Sequence, residues 1–238
     1  MQNKKETFLI DLGNSSLQYS ILNQNNTFKI HSIETKNVTQ KVINNLFKDK
    51  DCIISSVVPE KDVFFNVAAK AYFIDHSNVP IVGINIHKKE ELGADRIVTA
   101  LAAYQNYGES LIIDSGTAIT CCYIDANGVY QGGAILPGLK IASQSLNNHT
   151  SKVPLIYVDH IDTLTGKSTK EAVQVGLYHG YKHLINGLIA DYKQQFPKAT
   201  VVGTGSGLSV YKDYLDIDHY DSELIFKGLG ISYQELLK

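Results

Sequence analysis

Two short segments of this 238-residue chain end an apolar run in the pattern aspartate, any residue, glycine. The first reads Phe-Leu-Ile-Asp-Leu-Gly-Asn-Ser at residues 8–15, and the second reads Leu-Ile-Ile-Asp-Ser-Gly-Thr-Ala at residues 111–118. Both continue into a second strand-like run, so each predicts a β-hairpin whose tight turn carries the glycine. Backbone N–H groups in such a turn can approach an anion closely. The repeated pattern therefore predicts two phosphate-binding hairpins.

Side chains beside the two turns suit the same chemistry. Asn14, Ser15 and Thr117 supply amide or hydroxyl donors for phosphate oxygens. The Asp11 carboxylate can hold Mg²⁺ against the β- and γ-phosphates of a nucleotide. A single Asp-x-Gly is ordinary turn chemistry, but two copies in matched strand contexts favour phosphoryl transfer, which depends mainly on positioning and charge neutralisation.

A third candidate is the carboxylate of Asp95. It follows Gly93 and Ala94 and precedes apolar residues at helical spacing over residues 97–104, which predicts a helix that begins here. The helix dipole favours the charged form of a first-turn carboxylate, which could then accept a proton. Taken by itself, Asp95 is better read as a plain helix cap, worth about 1 kcal/mol. Arg96 next to it is by itself typical of a surface charge, although a guanidinium can also pair with a carboxylate through two hydrogen bonds.

The remaining pattern predicts an α/β chain of two similarly built domains, residues 1–110 and 111–238, that face each other across a cleft. The predicted strands are residues 8–12, 17–22, 28–31, 52–58, 72–74, 81–84, 111–114, 118–124, 129–131 and 199–203. The predicted helices are residues 40–47, 60–71, one that starts near 94, one that ends near 147, 169–195, and 233–237.

The composition of the chain argues against nucleic acid and membranes as binding partners. The net charge of −2 and the absence of like-charge runs exclude the electrostatic footprint of a nucleic-acid-binding protein. No apolar run reaches the length of about 18 residues that a membrane span needs, and the short apolar run near the start predicts a strand instead of a signal peptide. Three cysteines without metal-ligand spacing favour the reducing cytoplasm, with Cys121 and Cys122 as core residues.

The order of these motifs resembles that of the type III pantothenate kinases, members of the actin, Hsp70 and sugar-kinase superfamily. The resemblance runs nearly end to end. It is carried by Asp-Leu-Gly-Asn-Ser at residues 11–15, Gly-Ala-Asp-Arg at 93–96, Asp-Ser-Gly-Thr-Ala-Ile-Thr at 114–120, Gly-Gly-Ala-Ile-Leu-Pro-Gly-Leu at 132–139, Ser-Thr at 168–169 and Thr-Gly-Ser at 204–206.

The resemblance implies two ribonuclease-H-like domains with a central cleft, and ATP-dependent phosphorylation of pantothenate to 4′-phosphopantothenate, the first step of coenzyme A biosynthesis. It implies Mg²⁺ with ATP, a required monovalent cation (K⁺ or NH₄⁺), and a homodimer with the substrate pocket at the subunit interface. Another small-molecule kinase of the superfamily, or a non-catalytic nucleotide-binding accessory or regulatory protein, is the alternative function.

The family's functional residues carry over to matching positions of this chain. Residues around the ATP phosphates would be Asp11, Leu12, Gly13, Asn14, Ser15, Ser16, Leu17 and Gln18, with Thr117 on the other side. Pantothenate would be held by Gly93, Ala94, Asp95, Arg96 and, from the neighbouring subunit, Thr169, with Asp95 as the catalytic base and Asp114 at the monovalent cation. The chain departs from the family at Ile86, where a tyrosine is usual, and at Ser206, where a second glycine is usual.

Overall fold

A computed structural model describes residues 6–23, 27–236 and 238. Residue 237, which the sequence assigns to the last helix, lies outside the described residues. The chain forms two compact units: unit 1 is Met1–Asn106, Ala126–Gln131 and Glu223–Lys238, and unit 2 is Tyr107–Asp125 and Gly132–Ser222. The division into domains at residue 110 stays a prediction.

Unit 1 contains a five-stranded sheet. Its strands are β1 (Thr7–Leu12), β2 (Ser16–Ile21), β3 (His31–Glu34), β4 (Asp51–Ser56) and β5 (Lys70–Phe73), in the order β3-β2-β1-β4-β5. β1 pairs with β2 antiparallel and with β4 parallel. The strand β1, which carries the aspartate of the first Asp-x-Gly segment, therefore lies at the centre of the sheet between β2 and β4.

The helices of unit 1 are α1 (Gln40–Phe47), α2 (Pro59–Asp62), α3 (Ala94–Tyr107) and α6 (Leu224–Leu236), and β6 is Gly83–Ile84. α1 has the predicted bounds, with the Thr39 side chain accepting a hydrogen bond from the Val42 N–H. One face of the sheet packs Ile10 and Leu12 of β1 with Phe47 of α1 in a buried cluster. This cluster holds the strand that leads into the first turn.

One predicted helix of unit 1 is wrong. Residues 60–71 form the short helix α2, a 3₁₀ turn at Val63–Val67 and the first half of β5. The apolar spacing suits a helix, but parallel pairing of Asp51 to Ile54 with residues 70–73 draws the end of the segment into the sheet. The third strand is likewise shifted from residues 28–31 to His31–Glu34, where it pairs with β2.

Unit 2 contains β7 (Ser110–Ser115), β8 (Ala118–Ile124), β10 (Thr200–Thr204), β11 (His219–Tyr220) and most of β9 (Val129–Pro137). The sheet order is β11-β10-β7-β8-β9-β6, and the last pairing joins β6 to Val129 and Tyr130, which belong to unit 1. β9 is longer than the predicted residues 129–131. A Cβ on Gly133 would lie 1.9 Å from the Cys121 carbonyl oxygen, so only glycine allows this strand to pass so close.

The helices of unit 2 are α4 (Leu139–His149) and α5 (Thr169–Gln195). α5 has the predicted bounds because its start is capped on both sides: the Ser168 hydroxyl accepts from the Glu171 N–H, and the Glu171 carboxylate accepts from the Lys167 N–H. Cys121 and Cys122 are buried, as predicted. Within the described ranges, no helix is both long and apolar enough for a transmembrane segment.

Candidate active site

The first Asp-x-Gly segment forms the predicted hairpin. β1 and β2 pair as far as Leu12 opposite Leu17, which leaves residues 13–16 as a four-residue turn. The Gly13 N–H donates to the Ser16 carbonyl oxygen at 3.0 Å and closes the turn. The sequence therefore predicted the hairpin, but the glycine N–H is used within the turn.

The side chains expected at phosphate lie on and around this turn. Asn14 and Ser15 are exposed, whereas Asp11, Ser16 and Gln18 are half-buried. Asp11 lies opposite Gln18 in the strand register. A carboxylate at the end of a central strand, beside exposed amide and hydroxyl groups, is a donor set that suits a hard cation and its phosphate ligand.

Thr35 fastens the first turn, and sequence reasoning missed it. Its backbone N–H donates to the Ser15 carbonyl oxygen at 3.0 Å, and its Oγ1 donates to the Gly13 carbonyl oxygen at 2.6 Å. Thr35 follows β3 directly and is 6% exposed. No local sequence signal marks this residue, because only the pairing of β2 with β3 brings it to the turn.

The second Asp-x-Gly segment forms a tighter hairpin. β7 and β8 pair as far as Ser115 opposite Ile119, so residues 116–118 make a three-residue turn. The Thr117 carbonyl oxygen accepts a hydrogen bond from the Gly138 N–H at 3.1 Å. A Cβ on Gly138 would lie 2.4 Å from that oxygen, so the chain entering α4 is packed against the turn.

A second glycine segment covers the end of β7. Gly205 has φ +86°, and a Cβ there would lie 2.4 Å from Asp114 Oδ1 and 2.6 Å from the Ser115 carbonyl oxygen. The Tyr220 hydroxyl donates to the Gly205 carbonyl oxygen at 3.2 Å. Burial raises the pKa of Tyr220, and the charge of Asp114 adds to the effect. The absence of a side chain at Gly205 thus lets this backbone pack closely against Asp114 Oδ1 and the Ser115 carbonyl oxygen.

Asp95 is the second residue of α3 and half-buried. Its Oδ1 accepts a hydrogen bond from the Arg96 N–H at 2.8 Å. A Cβ on Gly93 would lie 2.5 Å from this oxygen, which explains the glycine at the helix start. Burial raises the pKa of Asp95, and the Arg96 N–H bond and guanidinium charge oppose that shift without reversing it. Burial therefore outweighs the helix-start effect that the sequence favoured.

Arg96 packs against an aromatic ring that sequence reasoning also missed. Its guanidinium carbon lies 5.9 Å from the centre of the fully buried Tyr130 ring in β9, within the range of a cation–π contact. The Asn85 N–H donates to the Tyr130 carbonyl oxygen at 2.8 Å. The segment with Ile86, which lacks the tyrosine usual in the family, therefore runs beside a strand that supplies a different tyrosine.

Thr169 is the exposed first residue of α5. Among the predicted site residues, it lies in unit 2 together with Asp114 and Thr117, whereas residues 11–18 and 93–96 lie in unit 1. Over the described part of the chain, no group of three or more histidine, cysteine, aspartate or glutamate side chains could hold a metal ion.

Comparison with known proteins supplies a family. A family model described as type III pantothenate kinase matches residues 7–191. The type III pantothenate kinase of Persephonella marina is 34% identical over 92% of this chain and 95% of its own length. The enzyme of Exiguobacterium sp. is 34% identical over 95% of this chain and 97% of its own length. The enzyme of Listeria monocytogenes is 37% identical over 76% of this chain and 74% of its own length.

Solved structures share the fold. A Baf family transcriptional activator from Campylobacter jejuni matches with a TM-score of 0.67 at 22% identity, over 97% of this chain and 98% of its own. An inorganic polyphosphate/ATP-glucomannokinase from Arthrobacter matches with a TM-score of 0.52 at 13% identity, over 98% of this chain and 100% of its own. MreB 5 of Spiroplasma citri matches with a TM-score of 0.55 at 11% identity, over 99% of this chain and 98% of its own. The predicted α/β fold of two ribonuclease-H-like domains is confirmed. With matching motifs, full-length relatives and this fold, the chain belongs to the type III pantothenate kinase family.

Proposed function

We propose that this chain transfers the γ-phosphate of ATP to the primary alcohol of pantothenate, giving 4′-phosphopantothenate, the first step of coenzyme A biosynthesis. The observation that carries the proposal is Asp95, a half-buried carboxylate in the first turn of α3. It lies within the Gly-Ala-Asp-Arg segment, inside the range that the family model matches. Burial raises its pKa, the opposite of what the helix dipole alone would do.

Asp95 acts as the general base in this proposal. Its carboxylate accepts the proton of the pantothenate alcohol while the alcohol oxygen forms a bond to the γ-phosphorus. The bond from that phosphorus to the β-phosphate oxygen breaks, and ADP leaves with the electron pair. Because burial raises the pKa of Asp95, the carboxylate is a stronger base than an exposed aspartate and is better matched to neutral pH.

Residues 93–96 hold pantothenate in this account. The Arg96 guanidinium pairs with the substrate carboxylate, and the Tyr130 ring beneath it restricts where the guanidinium can lie. Gly93 leaves the Asp95 oxygen uncovered, because a side chain there would occupy the same space. The helix start thus provides a base and a cation for the two ends of one small acceptor.

Each of the two hairpins carries residues that we assign to ATP or to its cations. Residues 11–18 line the phosphates with Asn14 and Ser15 as exposed donors, and Thr117 contacts the nucleotide from the second turn. The Asp11 carboxylate would hold Mg²⁺ through the phosphates. A bound Mg²⁺ would supply positive charge that offsets the negative charge developing on the phosphates.

Asp114 would hold the monovalent cation, K⁺ or NH₄⁺. The structure offers a fitting donor set, because the space that a Cβ on Gly205 would fill borders Asp114 Oδ1 and the Ser115 carbonyl oxygen. Both are hard oxygen ligands, one charged and one neutral. The positive φ of Gly205 favours glycine at this position, since other residues rarely adopt that backbone conformation.

We infer a cytoplasmic homodimer in which Thr169 reaches the partner's pantothenate. Large apolar side chains are exposed on unit 2, among them Ile135 at 62%, Tyr157 at 83% and Leu164 at 72%. A second subunit that covered these side chains would remove their apolar area from water. The three cysteines are free and buried, which suits a reducing compartment.

The test is a coupled assay of ADP release with pantothenate and with a panel of sugars as acceptors, on wild type and Asp95→Asn. We expect turnover of pantothenate by wild type and a loss of about 10³-fold in kcat for the variant. The acid limb of the wild-type pH–rate profile should lie above the ordinary aspartate pKa of about 3.9, because only ionised Asp95 accepts the proton. Turnover of a sugar without pantothenate turnover would reject the proposed substrate.

Stability separates loss of catalysis from loss of fold in the same variant. The pKa of Asp95 is higher in the folded protein than in the unfolded chain. The protonated carboxyl group therefore stabilises the fold when the pH is below the pKa of the unfolded chain, and this contribution is lost as the pH rises through the pKa of the folded protein. Asp95→Asn should therefore be at least as stable as wild type at pH 7 in urea unfolding. A variant that is inactive because it is unfolded would contradict this account.

A further inference from the structure

Thr35 stands out because one residue makes two hydrogen bonds to a single turn. It begins the 3₁₀ turn Thr35–Asn37, directly after β3, and is 6% exposed. Its Oγ1 donates to the Gly13 carbonyl oxygen at 2.6 Å, and its N–H donates to the Ser15 carbonyl oxygen at 3.0 Å. Pairing of Ser16 with Glu34 fixes this position.

The carbonyl groups of the first turn show why these bonds matter. A carbonyl oxygen directed at a phosphate repels it, so an anion site needs its carbonyls directed elsewhere. Four carbonyls around the turn accept hydrogen bonds from within the protein, those of Leu12, Gly13, Ser15 and Ser16. The Leu12 carbonyl accepts from the Val57 N–H, and the Ser16 carbonyl accepts from the Gly13 N–H. The Gly13 carbonyl accepts from the Thr35 hydroxyl, and the Ser15 carbonyl accepts from the Thr35 N–H. Thr35 supplies two of these four donors.

We propose that Thr35 is a positioning residue for ATP, which holds the carbonyl groups of the first turn away from the phosphates. This inference rests on the proposed function, because it takes the first hairpin as the ATP-phosphate site. The backbone bond to Ser15 is available to any residue except proline, whereas the bond to Gly13 requires a hydroxyl. A side chain outside the Asp-x-Gly motif therefore sets the geometry of the motif.

The experiment compares Thr35→Val, which removes the hydroxyl and keeps the branched shape, with Thr35→Ser, which keeps the hydroxyl. Binding of ATP is measured by calorimetry, and KM is measured for both substrates. Loss of the bond to the partly buried Gly13 carbonyl predicts about tenfold weaker ATP binding for Thr35→Val. KM for pantothenate should stay within about twofold, and Thr35→Ser should bind ATP within about twofold of wild type.

A matched control is Thr7→Val, at another threonine that is 6% exposed in unit 1 and whose Oγ1 donates to the Tyr233 hydroxyl at 3.3 Å. This variant should lose stability without weakening ATP binding. Equal ATP affinity in wild type and Thr35→Val, or equal weakening in Thr7→Val, would overturn the inference. Failure of the wild type to bind ATP would instead reject the proposed function.

A second measurement needs no variant. If Thr35 holds the turn for phosphate, ATP added to the wild-type protein should slow amide hydrogen exchange at residues 13–16 and at Thr35 together. Protection confined to other segments while ATP binds would overturn the inference, even if Thr35→Val does not fold.

Discussion

The two Asp-x-Gly hairpins start from the same sequence pattern and are fastened by different means. The first has a four-residue turn between Leu12 and Leu17, held by the side chain and backbone of Thr35. The second has a three-residue turn between Ser115 and Ile119, against which two glycine segments pack. One turn depends on a hydrogen bond that a side chain donates, and the other depends on the absence of side chains.

The shared motif therefore determines that a hairpin forms, but it does not determine which contacts with the rest of the protein hold the hairpin in place. A lost hydrogen bond costs about 1–3 kcal/mol and leaves the packing intact. A Cβ placed within 2.4 Å of a backbone oxygen, as at Gly138, forces the backbone itself to move. We therefore expect graded losses from substitutions at the first turn and sharper losses at the second.

The largest effect should come from Gly205→Ala. The new Cβ would meet Asp114 Oδ1 at 2.4 Å and would sit on a backbone with φ +86°, so we expect a loss of unfolding free energy of about 3 kcal/mol in urea titration. Gly108→Ala is the control, because it has φ +75° and nothing within 4 Å, and it should lose about 1 kcal/mol. Equal losses in both variants would show that the segment does not press on Asp114.

The next prediction compares the two aspartates. Asp114→Asn should lower kcat/KM on the order of 10²-fold and abolish the difference between K⁺ and Na⁺ buffers, because its carboxylate is the charged ligand of the proposed cation site. Asp11→Asn should lose activity but keep that difference and require more Mg²⁺. Initial rates in the two buffers across a Mg²⁺ titration measure both effects. A K⁺ response that persists in Asp114→Asn would place the cation elsewhere.

A smaller effect is expected at Gly138, whose φ of −70° suits any residue. Gly138→Ala should cost about 2 kcal/mol, because its Cβ would lie 2.4 Å from the Thr117 oxygen and 2.7 Å from the Gly116 oxygen. Gly116→Ala, with nothing within 4 Å, should change stability by less than about 0.5 kcal/mol. Thermal or urea unfolding of both variants gives the comparison, and similar stabilities would show that the α4 entry can withdraw from the turn.

The smallest effect is expected for the two buried cysteines in the strands of the sheets, Cys52 and Cys121. Burial raises the pKa of Cys52 in β4 and of Cys121 in β8 to about 12, with small additions from Asp51 and Cys122 respectively. At pH 8 these thiols are therefore protonated as well as inaccessible, and we expect no alkylation of either in the native protein but full alkylation in urea. Mass spectrometry of the labelled peptides checks this. Labelling of only one thiol in the native state would show that the two sheets are not equally closed.

Local sequence signals predicted several elements well. The predicted helices 40–47 and 169–195 have the bounds of α1 and α5, and the structure shows that Thr39 and Ser168 cap their starts. The apolar spacing of residues 60–71 was misleading, because pairing with β4 overrides a weak helical preference. The predicted strand 129–131 ended before Gly132, yet β9 continues to Pro137, because the glycine backbone at Gly133 can pass close to the Cys121 carbonyl oxygen.

The sequence by itself determined the family, the fold and the two hairpins, because apolar strands ending in Asp-x-Gly constrain the local backbone strongly. Tertiary structure alone decided which residues support these turns and which residue packs against Arg96. Thr35, Gly138, Tyr130 and Gly205 are distant in sequence from the groups they contact, and strand pairing or close backbone approach brings them there. The sign of the pKa shift of Asp95 was decided in the same way, since burial is a property of the packed structure and helix position is a property of the sequence.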